Sequence, residues 1–164
     1  MRFVQWLNAG SLGNSPDLGT FLFGQARASL EVYRPILLDV QGGDCLYCRK
    51  PLSRLAQVDH FIPWARYPAD LGHNFVLAHD RCNNAKSDYL ASEDHLAAWI
   101  DRNRFHRAEL DARLAEASLP SDLRATVQIA RWMYGQTEKA NGHVWVDERV
   151  MRHLGPGWCH CLGP

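Results

Sequence analysis

Hydrophobic and polar positions divide the chain into three stretches of different rhythm. Residues 1–43 open with a Gly/Ser/Asn/Pro-rich segment from Gly10 to Gly19 and continue from Thr20 to Val40 with enough apolar positions for helix. Pro35 suits a first helical turn and Gly42-Gly43 a stop, so a short helix over Pro35–Gln41 is expected. Residues 44–90 lack a helical period. Val58-Asp59-His60-Phe61-Ile62 reads as a strand ended by Pro63, Asn74 to Ala78 as a second strand, and Asp80 to Tyr89, free of breakers, as a short helix. Residues 91–164 are helical by pattern. From Ser92, the positions Leu96, Trp99, Ile100, Asn103, Leu110 and Leu114 fall on one face until Ser118-Leu119-Pro120 breaks the run. A second helix from Ser121 places Leu123, Val127, Ala130 and Tyr134 at helical spacing and is expected to end near Gly135. Asn141-Gly142 marks a turn, Val144-Trp145-Val146 is ambiguous, and no order is expected beyond Gly155-Pro156-Gly157.

Composition narrows the class. The 164 residues are 46% hydrophobic and 22% charged, a globular balance that argues against disorder. No apolar run approaches the roughly 18 residues that a membrane span needs. The start, Met1 to Asn8, has an apolar stretch broken by Gln5 and Asn8, short of a secretory signal, and the chain is read as cytoplasmic. Lys+Arg and Asp+Glu are 18 each, so net charge does not point to a polyanion and any nucleic-acid contact must come from local placement.

Five cysteines without a secretion signal favour metal ligation over a disulfide framework. Cys45-x-x-Cys48 brings two thiolates to one point, and His79-x-x-Cys82 repeats the spacing with an imidazole in place of one thiolate. Together Cys45, Cys48, His79 and Cys82 make a closed Cys₃His zinc site, structural because four protein ligands leave no position for water. A redox pair at Cys45/Cys48 would need a surrounding βαβ pattern, which is absent. Between the two halves lies Asp59-His60. Neighbours on a strand point to opposite faces, so the two are expected to divide roles, Asp59 as a hard oxygen ligand for Mg²⁺ or Mn²⁺ and His60 as a base.

Asp59-His60, Asn74 and Asn83-Asn84-Ala85-Lys86-Ser87-Asp88, framed by the two knuckles, resemble the HNH endonucleases of the His-Me finger or ββα-metal fold. His60 matches the first H, Asn74 the N, and Asn83 the last position, where Asn is a recurrent substitute. The spacing is similar to the HNH domain of RNA-guided CRISPR effectors, the knuckles to free-standing HNH proteins of bacteria and phages. The resemblance covers about residues 44–90. It implies an α+β fold with a ββα-metal core (44–90) between a loop and helical lead-in (1–43) and a helical region (91–164). It also implies hydrolysis of DNA phosphodiesters by a one-metal mechanism. Asp59 and Asn83 hold Mg²⁺ or Mn²⁺, His60 is the general base, Asn74 orients it, and the products carry 5′-phosphate and 3′-hydroxyl ends.

Several assignments stay open. Asn84 replaces Asn83 if the helix register shifts by one, and His73 is either an exposed loop residue or a further metal neighbour. Lys86, nearly one turn beyond Asn83, is either a phosphate contact or a solvated lysine. Arg66, within Trp64-Ala65-Arg66-Tyr67, is a second phosphate candidate in a segment suited either to unstacked bases or to packing. Trp99, Trp132 and Tyr134 are expected in the core, and Cys159-His160-Cys161 in a disordered tail. DNA is the expected partner, with RNA open, as monomer or homodimer. The competing class is a zinc-organised nucleic-acid-binding module without catalysis, which needs none of Asp59, His60, Asn74 and Asn83 in these roles.

Overall fold

A computed structural model describes residues 30–66 and 69–163. The readings of Gly10–Gly19, of the chain from Thr20 to residue 29, and of Tyr67 lie outside them. Tyr33–Pro164 form one compact unit; of the other unit, Met1–Val32, only residues 30–32 are described. The described residues are α+β. In chain order they give α1 (Arg34–Val40), β1 (Gln57–His60), β2 (Phe75–Ala78), α2 (Asp80–Lys86), α3 (Glu93–Phe105), α4 (Arg107–Glu116), α5 (Leu123–Lys139), β3 (His143–Asp147), β4 (Val150–His153) and α6 (Trp158–Leu162). None of these helices is long and apolar enough to cross a membrane.

β1 and β2 pair antiparallel, with Asp59 opposite Val76 and His60 opposite Phe75. α2 follows at once and packs against β1, completing a ββα unit. β2 is buried along its whole length, which accounts for its unbroken apolar run. Helix α1 carries Pro35 in its first turn and ends before Gly42 and Gly43, both at positive φ, as their sequence suggests.

The single helix expected from Ser92 is divided at His106, whose φ of −99° and ψ of 19° leave the helical region. The break is slight, because His106 N still donates to Arg102 O and Leu110 N to His106 O. Asp122 caps α5, its Oδ1 accepting from Ala125 N at 2.8 Å. Gly135 does not end that helix. A Cβ at Gly135 would stand in ordinary contact with the Trp158 ring at 3.8 Å, and α5 runs on through this position to Lys139. The ambiguous Val144–Val146 segment is strand β3, paired with β4, a strand exposed at every residue and absent from the sequence pattern. Beyond Gly157 the chain is ordered as α6, with Trp158 and Leu162 buried. The disordered tail expected for Cys159–Cys161 is therefore a helix turn anchored by its two flanking apolar residues, and Cys159 and Cys161 are free thiols on it.

One core joins these parts. Cys45 and Tyr47 of the knuckle, Phe61 and Val76 of the hairpin, Trp99 of α3, Tyr134 of α5, Trp145 of β3 and Trp158 of α6 belong to a single buried cluster. Each fully buried large apolar side chain contributes about 1.5–3 kcal/mol relative to exposure. Trp132 departs from expectation: it is 60% exposed, on the face of α5 opposite Ala130 and Tyr134. The ring of Phe61, just past β1, stacks on Trp99 with centroids 4.7 Å apart and planes 5° from parallel.

Candidate functional site

The knuckle is built by a tight loop. Cys45 N donates to Lys50 O and Arg49 N to Cys45 O, both at 3.0 Å, with Arg49 at φ +59° to turn the chain back. Leu46 N reaches Leu77 O at the end of β2, setting the loop beside the start of α2, where His79 is the residue before the helix and Cys82 lies in its first turn. The ligand atoms of Cys45, Cys48, His79 and Cys82 all lie within 4.8 Å of one another. Cys48 Sγ is 3.2 Å from His79 Nδ1, and His79 Nε2 is 3.0 Å from Pro51 O. Donation from Nε2–H to that carbonyl leaves Nδ1 as the ligand atom, the support a metal-binding imidazole requires.

Two of the four groups are displaced from their ordinary ranges, in opposite directions. Burial pushes the Cys48 thiol up, but hydrogen bonds from the Lys50 backbone, Cys45, His79 and Cys82 outweigh it and bring it to about 7. Burial and the neighbouring Cys45 and Cys48 push Cys82 up to about 12. Without metal the three thiols compete; Zn²⁺ relieves that competition by binding them as thiolates. The donor set fits a structural zinc.

On the hairpin, Asp59 and His60 face apart as strand geometry requires. Asp59 is buried, and its Oδ2 accepts from the Tyr47 hydroxyl at 2.5 Å and lies 3.1 Å from Lys86 Nζ. Burial, reinforced by Asp59, pushes the Tyr47 phenol well above its ordinary range, so it acts as a donor. Asn83 Nδ2 donates to Gln57 Oε1 at 2.8 Å. Neither Asp59 Oδ1 nor Asn83 Oδ1 accepts a hydrogen bond from any described residue. Two neutral or anionic oxygens left over on β1 and α2 suit a hard divalent ion that keeps water in its other positions. Asn83 and Asp59 share no hydrogen bond, so the structure places them on adjacent elements without joining them.

His60 faces the other way. Its Nε2 lies 2.9 Å from Asp70 Oδ1 and its ring meets Phe75 edge-on at 4.6 Å. Asn74 holds the chain that leaves β1: its Oδ1 accepts from Ile62 N at 2.8 Å, and its Nδ2 donates to Ile62 O at 2.9 Å. Phe61 N also donates to Asn74 O. Asn74→Ala leaves both Ile62 groups unpaired in a buried position. A stability loss of about 2–6 kcal/mol is expected by chemical denaturation, since each of the two orphaned buried groups costs about 1–3 kcal/mol.

Helix α3 braces this loop from behind. Trp99 Nε1, Arg102 Nη2 and Asn103 Nδ2 all donate to His73 O, and Arg102 Nη1 donates to Phe75 O at 2.8 Å. The backbone is thus gripped on both sides of Asn74. Burial brings the Arg102 guanidinium down to about 9, with Tyr47 opposing the shift.

Two expected side-chain settings are corrected. Lys86 is neither a phosphate contact nor a solvated lysine: it is fully buried, with Nζ committed to Asp59 and, at 2.9 Å, to His60 O. His73 is no exposed loop residue but lies at zero exposure under α4, its Nε2 3.3 Å from Asp111 Oδ1. Burial, against the pull of Asp111, lowers its affinity for a proton. Arg66 is exposed, with Nε donating to Asp88 O at 3.0 Å, and Trp64 beside it is 56% exposed. Asn84, the alternative to Asn83, is exposed on the outer side of α2.

Three participants escaped the sequence. Asp70 sits ten residues beyond His60 in an irregular loop, without periodicity to link them. Tyr47 is an unmarked aromatic inside the C-x-x-C loop, and Gln57 an ordinary polar strand residue. A carboxylate in the loop following the Asp-His pair was the one available signal.

Residues 45–89 match the family model described as HNH endonuclease. No curated protein and no solved structure matches the chain.

Proposed function

We propose that this protein is a metal-dependent endonuclease that hydrolyses DNA phosphodiesters to 5′-phosphate and 3′-hydroxyl ends, a reading supported by the match of residues 45–89 to the HNH endonuclease family model. His60 is the general base. The observation that carries this role is its pairing with Asp70: with Nε2–H directed at the carboxylate, the lone pair resides on Nδ1, which has no partner among the described residues. Nδ1 takes the proton of a water aligned with the P–O3′ bond, and Asp70 stabilises the imidazolium that results. Asn74, through Ile62, holds the strand end so that the imidazole keeps its direction.

Asp59 and Asn83, with their unpartnered Oδ1 atoms, are the residues that hold Mg²⁺ or Mn²⁺. When bound, the ion neutralises charge on the scissile phosphate and on the departing oxygen. The Cys₃His knuckle holds Zn²⁺ in a structural role. Arg66 and the exposed Arg49, Lys50 and Arg54 contact flanking phosphates, a weak and salt-sensitive contribution consistent with the chain's zero net charge. DNA is the partner, engaged by a monomer or homodimer in the cytoplasm of a bacterium or a cell infected by phage.

Supercoiled plasmid incubated with the protein tests this reading. Nicking or linearisation is expected with Mg²⁺ or Mn²⁺ and none with chelator. Asp70→Asn is expected to lower the rate about 10–100-fold, the range for partners that orient a functional imidazole, with unchanged melting. A wild type that binds plasmid but cuts it in no metal favours the noncatalytic binding module instead.

A further inference from the structure

The Asp59 carboxylate is held from behind by groups that the hydrolytic reading does not use. Tyr47 stands between two zinc ligands, in the loop Cys45-Leu46-Tyr47-Cys48, and its hydroxyl lies 2.5 Å from Asp59 Oδ2. Lys86 Nζ approaches the same oxygen at 3.1 Å, bonds the His60 carbonyl, and lies 5.9 Å from the centre of the Tyr47 ring. Tyr47 is 4% exposed, Lys86 0% and Asp59 9%. Three polar groups this deeply enclosed are fixed by one another, so the carboxylate has a single orientation in which Oδ2 is spent and Oδ1 is available.

We propose that Tyr47 is a positioning residue that couples the zinc knuckle to the divalent ion at Asp59. The inference rests on the reading that Asp59 and Asn83 hold that ion. Zinc closes the loop that carries Tyr47, Tyr47 fixes Asp59 Oδ2, and the fixed carboxylate presents Oδ1. Partners of this kind set metal affinity by orienting the ligand, and binding at one site must then favour binding at the other to the same extent. Lys86 serves the same end from α2, the helix that supplies Cys82 and Asn83, so both knuckle halves converge on one oxygen. The Cys₃His set prefers zinc and the two oxygens prefer Mg²⁺ or Mn²⁺, which keeps the two ions in their own places.

The test uses zinc-loaded full-length protein carrying His60→Ala, so that no turnover interferes, with Mn²⁺ alone as probe and free Mn²⁺ read by electron paramagnetic resonance. Adding Tyr47→Phe removes one hydroxyl and keeps the ring. It is expected to weaken Mn²⁺ binding about 10–100-fold while zinc content and melting temperature stay unchanged. Zinc affinity, measured by competition with a zinc-selective chelator, gives the reciprocal measure: saturating Mn²⁺ tightens zinc binding in the protein with Tyr47 and not in the Tyr47→Phe protein. Unchanged Mn²⁺ affinity in Tyr47→Phe, with affinity lost in Asn83→Ala, overturns the coupling and leaves the ion's ligands standing. Unchanged affinity in Asn83→Ala as well overturns the ligand assignment itself. If Tyr47→Phe loses zinc, the zinc-affinity measurement on the Tyr47 protein decides alone, and equal zinc affinity with and without Mn²⁺ overturns the proposal.

Discussion

Replacing His60 by alanine is expected to abolish plasmid cleavage and to leave zinc content and melting temperature as they are in the wild type. General-base catalysis contributes about 10²–10⁴ in rate, so the variant falls below detection in an ordinary nicking assay. The structural cost is small. The His60 side chain is 15% exposed, and its specific interactions are the ring contact with Phe75 and the pairing with the Asp70 carboxylate. An aromatic contact of that kind is worth about 0.5–1.5 kcal/mol, a modest part of a domain's stability. Gel conversion of supercoiled plasmid, zinc analysis and a thermal melt report the three quantities. Retained cleavage removes His60 as base; lost zinc or a large fall in melting temperature makes it a structural residue.

Cys48→Ser is expected to have the opposite signature, with loss of zinc and collapse of stability preceding any question of activity. Apparent binding energies of structural zinc are about 10–16 kcal/mol in small peptide sites, comparable to the 5–15 kcal/mol of an entire domain. Serine fits the space but does not ionise near neutrality. Of the two displaced thiols, Cys48 ionises the more easily, at about 7, whereas Cys82 stands at about 12 without metal. Protons compete with zinc for these sulfurs, so affinity falls as pH falls, and acidification is expected to release zinc from the wild type along with its folded structure. Zinc release followed by a colorimetric chelator, beside far-ultraviolet circular dichroism, checks both statements. An unchanged melt and zinc content in Cys48→Ser would remove the knuckle from the account of folding.

The parts legible in the sequence are those whose chemistry is local. Two C-x-x-C-like spacings, a strand that carries Asp-His and a helix that begins at Asp80 each lie within a few residues, and the structure forms all of them. What stayed hidden depends on contacts across long separations. Lys86 has the look of any basic residue in a last helical turn, yet its ammonium bonds His60 O, 26 positions away. The grip of Trp99, Arg102 and Asn103 on His73 O spans a similar distance and is made by side chains that on a helix wheel mark only a buried face. β4 escaped because it is exposed on both sides and so shows no alternation, and α6 because five residues hold too few positions to display a period.

The stacking of Phe61 on Trp99 limits how the segment that matches the HNH family model can be moved to another protein. A graft confined to residues 45–89 carries Phe61 and the His73 carbonyl but leaves behind Trp99, Arg102 and Asn103. Its loop would then open an apolar face to solvent and lose the donors on either side of Asn74. The compact unit that keeps all of these contacts together runs from Tyr33 onward. The stretch matched by the family model is therefore narrower here than the compact unit that supports it.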